Sequence, residues 1–426
     1  MDTTVFENGN EIAEEMFDIV GEARRKGRLI IDDPYPVWAE HREQAPVWRG
    51  HAVELLGDSP PAGRFMRERE HFTLLSFEHC QAALLDNQLF SSEIYGEYFP
   101  AMQLGRSILH MGGAEHRRYR NIVQTQFTKA RATDWWTRSW IEDIVAELVE
   151  VLSKHRSVDL SKTLCARLPM HTITRAFGMD DTIAIKFRRA LLTNMEPEAS
   201  AEQREAADDF IIQTLRQEVA NRQTAPRDDL ISMLLHSEFR DEDGEIARLS
   251  EEEIFGFCRV VLTAGGGTTF RQLGITLVAL LSDPAQLDAV RADRTQIEKA
   301  LHESLRWNTT LPIFHRLVTR DTELAGVSIP AGSVVDICLG AGNRDPKRWE
   351  NPERYDLFRP VQRHLGFAGG AHTCLGMFVA QAEMTVAINA LLDNFPNIRF
   401  DPDCERPRIS GSPELRGVSH LTVRLD

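Results

Sequence analysis

Along most of this chain, apolar residues recur at the three-to-four spacing of an amphipathic helix. In "WIEDIVAELVEVL", Trp140, Ile141, Ile144, Val145, Leu148, Val151 and Leu152 share one face, with acids between them. "EQREAADDFIIQTLRQEVANRQ" predicts a long, polar, exposed helix, and Pro226 breaks the pattern before a new amphipathic segment at "DDLISMLL". The strongest run, "SEEEIFGFCRVVLTAGGGTTFRQLGITLVALLSDP", predicts a helix from about Glu251 to Leu281. Ser250 and Glu253 form its capping box, and Asp283-Pro284 stops it. At 1.5 Å per residue it spans roughly 45 Å. Its apolar residues lie nearly all round, which predicts a buried central helix. Arg259 and Arg271 interrupt the run and speak against a membrane span.

Strand-like alternation is rarer. "DTELAGVSIPAGSVVDICLGAGN", punctuated by Gly326, Pro330 and Gly332, predicts a small hairpin. "HAVELLGDSP" and "HFTLLSF" predict early strands, and "SHLTVRLD" a last one. No repeat, low-complexity tract or linker divides the chain. The pattern therefore reads as one domain over residues 1–426, mainly α with a small β portion.

Composition narrows the function. Of 426 residues, 42% are hydrophobic and 27% charged, as in an ordinary globular protein. The net charge of -15 speaks against a nucleic-acid partner, whose phosphates need Lys and Arg, and against an anionic membrane surface. "MDTTVFENGNEIAEEMFDIV" is acidic and lacks an apolar run, so it reads as neither signal peptide nor membrane anchor. Six cysteines, at 80, 165, 258, 338, 374 and 404, then read as free thiols in a reducing cytoplasm.

Three stretches carry chemistry. In "AGGGTT" (264–269), three mid-helix glycines weaken the helix by roughly 3 kcal/mol in sum. One glycine would suggest close helix packing. Three followed by two threonines predict a ligand approaching the backbone, with Thr268 or Thr269 offering a hydroxyl. In "EKALHESLRW", Glu303 and Arg306 stand three apart on one helix face, and Arg359 of the Arg/Asp/Pro-rich "GNRDPKRWENPERYDLFRP" is placed to join them. In "HLGFAGGAHTCLGMFVAQAEM" (364–384), Gly369 and Gly370 permit close backbone approach. Cys374 precedes a strongly helical run, whose dipole favours a thiolate. A zinc reading of His372 and Cys374 lacks a second ligand pair. A thiol nucleophile lacks an identifiable base. An axial thiolate on haem iron needs only one cysteine.

With these segments in this order, the chain resembles the cytochrome P-450 superfamily of haem-thiolate monooxygenases. Its length, motif order and N-terminus resemble the soluble bacterial members, from about residue 105 to the end. The resemblance implies the cytochrome P-450 fold, with a long central helix over haem b (iron protoporphyrin IX). It makes Cys374 the proximal iron ligand, with Phe367 against the sulfur side of the haem. Glu303, Arg306 and Arg359 become a buried network fixing the meander. His116 and Arg120 in "HMGGAEHRRYR", Arg316 in "PIFHRLVTRD", His364 and His372 become partners of the two haem propionates. Buried cations beside two carboxylates have a physical reason to exist. Thr268 becomes catalytic by holding a water. The substrate pocket falls to Tyr95, Tyr98, Phe99, Met102, Ala264, Gly265, Ile313 and Phe314, a mix that suits an apolar ligand.

Two positions depart from the family. Gly267 stands where relatives usually carry the acid that relays protons during oxygen activation, and "MGGA" stands where they often have Asp-Pro-Pro. The implied function is insertion of one oxygen atom of O2 into a small or medium apolar organic substrate. Electrons come from a separate ferredoxin-type donor, for which Arg117, Arg118 and Arg120 offer a cationic patch. Two alternatives stay open. One is a haem-thiolate enzyme of other chemistry (peroxide-driven oxygenase, reductase or dehydratase), favoured by Gly267. The other is a non-enzymatic haem module, which the open distal groove opposes.

Overall fold

The computed structural model describes residues 18–59, 68–98, 106–195, 199–240 and 244–426. In chain order, the helices that position the site are α1 (Ile19–Arg25), α2 (Gly113–Gln124), α3 (Arg167–Ala176), α4 (Glu251–Ser282), α5 (Gln296–Trp307) and α6 (Met377–Asn394).

α4 begins where its sequence says. The Ser250 hydroxyl accepts the Glu253 N–H at 3.2 Å, and the Glu253 carboxylate accepts the Ser250 N–H at 2.8 Å. Asp283 ends it and caps the following helix, accepting the Ala285 N–H. From Gly266 to Leu280 every residue except Thr268 is buried. Both arginines of this helix are buried and paired: Arg259 lies 3.6 Å from Asp208, and Arg271 binds Glu22 of α1. Among the described residues no single helix is long and apolar enough to cross a membrane.

The glycine run needs a correction. α4 is unbroken through it. A methyl on Gly265 would lie 2.6 Å from Ile173 Cδ1, and one on Gly266 would lie 3.2 Å from Met170 Sδ, both on α3. Gly265 and Gly266 therefore let α3 and α4 pack closely, and Gly265 leaves the predicted pocket.

The main sheet contains β1 (Val47–Arg49), β2 (His71–Leu74), β3 (Phe90–Ser91), β4 (Ile313–Val318) and β5 (Val334–Cys338), in the order β1-β2-β5-β4-β3. β2 and β5 run parallel, the other pairs antiparallel, and Asp336 of β5 stands opposite His315 of β4. The predicted strand in "HAVELLGDSP" is instead a 3-10 turn over Glu54–Leu56, ended by Gly57 at φ 78°. Its apolar residues Ala52 and Val53 are buried against Tyr35, Trp38 and Leu75, without the alternation of a strand. Thr322–Leu324 and Val327–Ile329 form the expected hairpin, and Thr422–Arg424 the expected last strand. Two hairpins, Glu238–Arg240 with Ile246–Arg248 and Ile409–Ser412 with Leu415–Val418, were not legible as strands.

Candidate haem-thiolate site

The cysteine loop is closed by its own backbone. The Cys374 N–H donates to the Phe367 carbonyl at 3.0 Å. Within the turn, Ala368 and Gly370 take positive φ values of 57° and 66°. A side chain on Gly370 would come 2.2 Å from the Leu84 carbonyl oxygen, so only glycine fits. The Cys374 side chain keeps accessible surface, whereas Cys80, Cys165, Cys258 and Cys338 are buried; all six cysteines are free. Its thiol is nevertheless crowded by protein. Burial pushes its pKa up, against the pull of the Gly376 N–H and of Arg120. The helix does not by itself favour the thiolate, because α6 starts only at Met377. Coordination to a metal cation deprotonates such a thiol outright.

Next to the loop, two arginines and two imidazoles gather without an anion. His116 and Arg120 lie on α2, Arg316 on β4, and His372 in the loop itself. The rings of His116 and His372 are 4.2 Å apart. His372 Nε2 reaches the Ser92 hydroxyl at 2.9 Å, a partner that sequence reading missed. His116 Nε2 is buried with no partner. Arg120 Nε bonds Gln124, and the buried Arg316 donates to the carbonyl of His315. Among the described residues no carboxylate pairs with any of the four. Burial, then Arg120 and Arg117, hold the His116 imidazole down at about 4. Burial, then His116, hold His372 at about 3. An orphaned imidazole nitrogen and two arginines lacking anions, beside a thiol, fit a metal group that carries carboxylates.

This arrangement fixes a pH dependence. The folded pKa values of the two imidazoles lie below the ordinary 6.5, so from about 6.5 down to about 4 for His116 and about 3 for His372 the unfolded chain binds more protons. In haem-free protein, stability is complete above that window and falls as pH drops through it. Carboxylates of a group bound at the cluster would raise both values and flatten the slope. Urea midpoints at pH 7 and pH 5 are expected to differ more for haem-free than for haem-loaded protein. Equal falls would overturn the placement of the carboxylates.

His364 is removed from this group. Its Nε2 meets His302 Nδ1 at 3.0 Å, and its Nδ1 accepts the Gly366 N–H at 3.0 Å, so both ring nitrogens are taken. Phe367 is half-buried, with its ring 6.0 Å from that of His364. Behind the loop, Glu303 and Arg306 of α5 form a two-pronged pair at 2.7 and 2.8 Å, and Arg359 Nε joins Glu303 at 3.1 Å. Arg306 also donates to the carbonyls of Asn343, Pro352 and Arg354, so every guanidinium proton is used.

On α4, Thr268 donates its hydroxyl proton to the Ala264 carbonyl at 2.8 Å. Ala264 is exposed and Thr268 half-exposed. No acid stands at 267; the Gly267 carbonyl accepts Arg271 Nη1 at 2.8 Å.

The remaining pocket residues divide. Phe99 and Met102 lie outside the described residues, and Tyr98 ends the short helix Ile94–Tyr98. Tyr95 is corrected: its hydroxyl accepts the His315 N–H at 2.9 Å and its ring lies under Arg316, so it belongs to the cation cluster. Ile313 is corrected too, because it is buried in a small core with Tyr35 and Trp38. Its neighbour Phe314, on the other face of β4, stays half-buried. The cationic patch also shrinks. Arg118 is paired with Glu253 and Arg120 is turned inward, which leaves Arg117 exposed.

Known proteins match over most of the chain. The family model for Cytochrome P450 matches residues 179–416. The 6-deoxyerythronolide B hydroxylase of Saccharopolyspora erythraea is 32% identical over 411 residues, covering 92% of this chain and 96% of the relative. Cytochrome P450 monooxygenase PikC of Streptomyces venezuelae is 29% identical, covering 93% and 92%. The solved structure of cytochrome P450 CYP109Q5 from Chondromyces apiculatus superposes with a TM-score of 0.79 at 26% identity, covering 92% and 95%. An accessible cysteine in a glycine-turned loop, arginines without anions beside it and relatives matched over nine-tenths of the chain agree: the chain belongs to the cytochrome P450 family.

Proposed function

We propose that this P450 monooxygenase holds haem b through Cys374 and inserts one oxygen atom of O2 into a small or medium apolar organic substrate. Electrons come from a separate ferredoxin-type donor. The observation that carries the reading is the accessible Cys374 thiol beside two arginines and two imidazoles that lack an anion. Relatives named as a hydroxylase and a monooxygenase support oxygen insertion.

When bound, haem supplies reductive activation of dioxygen. The chain supplies the rest. Cys374 would hold the iron through its thiolate, whose charge the Gly376 N–H tempers. His116, Arg120, Arg316 and His372 would hold the haem carboxylates. The Thr268 proton is committed to Ala264, so its oxygen is left to accept a hydrogen bond and hold a water on the open side of α4. Gly267 offers no acid, so the proton travels through that water or the substrate. Ala264 and Phe314 contribute apolar surface to the substrate side.

Gly267 favours one rival, a haem-thiolate enzyme driven by peroxide. Thr268→Ala separates the two readings in assays with a surrogate ferredoxin, its reductase, NADH and O2, run beside peroxide alone. Product per NADH is expected to fall at least several-fold while NADH consumption persists and hydrogen peroxide accumulates. Unchanged coupling, or turnover by peroxide alone, would put the rival ahead.

A further inference from the structure

His315 and Arg316 are successive residues of β4 and so face opposite sides of the sheet. On the His315 side, histidines from three separate segments converge on one carboxylate. Asp336 is fully buried, in register with His315. His315 Nδ1 lies 2.8 Å from Asp336 Oδ1, and His51 Nδ1 lies 3.1 Å from Oδ2. His71 Nδ1, at the start of β2, lies 3.6 Å from Oδ1. The donor atoms of His51, His315 and Asp336 all fall within 4.8 Å of one another. The Val53 N–H donates to His51 Nδ1 at 3.3 Å, so that nitrogen carries a lone pair, which a bound cation would take over from this contact.

The surroundings also suit a cation. His315 Nε2 faces the Glu414 carboxylate at 3.6 Å, the outer-shell partner that orients metal-bound histidines. Glu414 is paired in turn with Arg28, which also binds Asp58. Val53, Leu75, Ile313 and Cys338 form an apolar shell on this side. The side chains of these groups lie apart from the proposed haem site, to which only the His315 backbone is joined, through Arg316 and Tyr95.

We propose that His51, His315 and Asp336, with His71 as fourth ligand, form a structural site for a divalent transition-metal ion, zinc by its donor set. Imidazole nitrogens with one carboxylate suit zinc, whereas calcium and magnesium select all-oxygen ligands. Tetrahedral zinc with bonds of about 2.0–2.2 Å sets its ligands about 3.3–3.6 Å apart. With Asp336 Oδ1 as the one carboxylate ligand atom, the 3.6 Å separation from His71 matches that spacing, the 2.8 Å pair with His315 opens by about half an ångström on binding, and His51, 3.1 Å from Oδ2, moves toward Oδ1. The ion ties the turn after β1 to β2, β4 and β5, segments far apart in sequence.

The test counts zinc against haem iron by elemental analysis of the holoenzyme, produced in zinc-supplemented medium and desalted. About one zinc per haem iron is expected. His51→Gln is expected to bring the ratio near zero with haem retained, and removing zinc from the wild type by chelator is expected to lower its melting temperature. If His51→Gln fails to accumulate, His71→Gln, which spares the tighter pairs, gives the same readout. Wild-type zinc below about half the haem iron overturns the site. So does stoichiometric zinc that the histidine variants retain, since that metal is bound elsewhere.

Discussion

Glu303→Ala is expected to leave almost no haem-loaded protein. Glu303 is 6% exposed and Arg306 1% exposed, so neither charge can fall back on water. The carboxylate accepts two protons from Arg306, one from Arg359 and the Asp356 N–H. Removing it orphans two guanidinium groups at once. Breaking such a buried pair from one side costs about 3–5 kcal/mol, a large share of a total stability of about 5–15 kcal/mol. The damage is directed at the haem side, because the same guanidiniums hold the carbonyls of Asn343, Pro352 and Arg354. Asn343 in turn accepts the Leu365 N–H at 2.7 Å, at the entrance to the cysteine loop. Glu303→Gln keeps the acceptor and loses the charge, and it should fall between the two. The checks are soluble yield, the ratio of haem to protein absorbance, and the urea midpoint. A Glu303→Ala protein that accumulates normally with full haem would show the network to be dispensable.

What could be read from the sequence was local. The α4 capping box depends on residues three apart, and it forms as the spacing requires. The Glu303–Arg306 pair is likewise set by one helical turn. What could not be read depends on partners distant in the chain. The apolar residues of "HAVELLGDSP" suggest a strand, but Trp38 and Leu75 receive them as a turn, and the Ala52 N–H is spoken for by Asp336, 284 positions away. The glycines at 265 and 266 were read as ligand space because Ile173 and Met170 cannot be seen from α4 alone. His364 sits in the right loop for a carboxylate partner, yet His302, on a different helix, takes its free nitrogen. His51, His71, His315 and Asp336 have no common spacing whatever; only the strand order β2-β5-β4 brings the last three together.

Cys374→His is expected to abolish the red-shifted carbon monoxide band of thiolate-ligated haem and to lower monooxygenase activity more than about a hundredfold, because a neutral imidazole lacks the charge a thiolate gives. Haem should nevertheless remain bound, since His116, Arg120, Arg316 and His372 are set by α2, β4 and the Ser92 contact, which the substitution leaves alone. Loss of the band together with loss of haem would therefore be ambiguous for ligation, and a second readout removes the ambiguity. In haem-free protein Cys374 and Cys404 are the accessible thiols, and the other four are buried. Burial pushes the Cys374 thiol above its ordinary pKa, so its alkylation in haem-free protein should lag behind that of Cys404 at neutral pH and catch up in alkali. Loading wild type with haem should protect Cys374 at every pH and leave Cys404 reactive. Continued alkylation of Cys374 in the loaded protein, or persistence of the thiolate band in the histidine variant, would remove Cys374 from the iron and with it the proposed haem ligation.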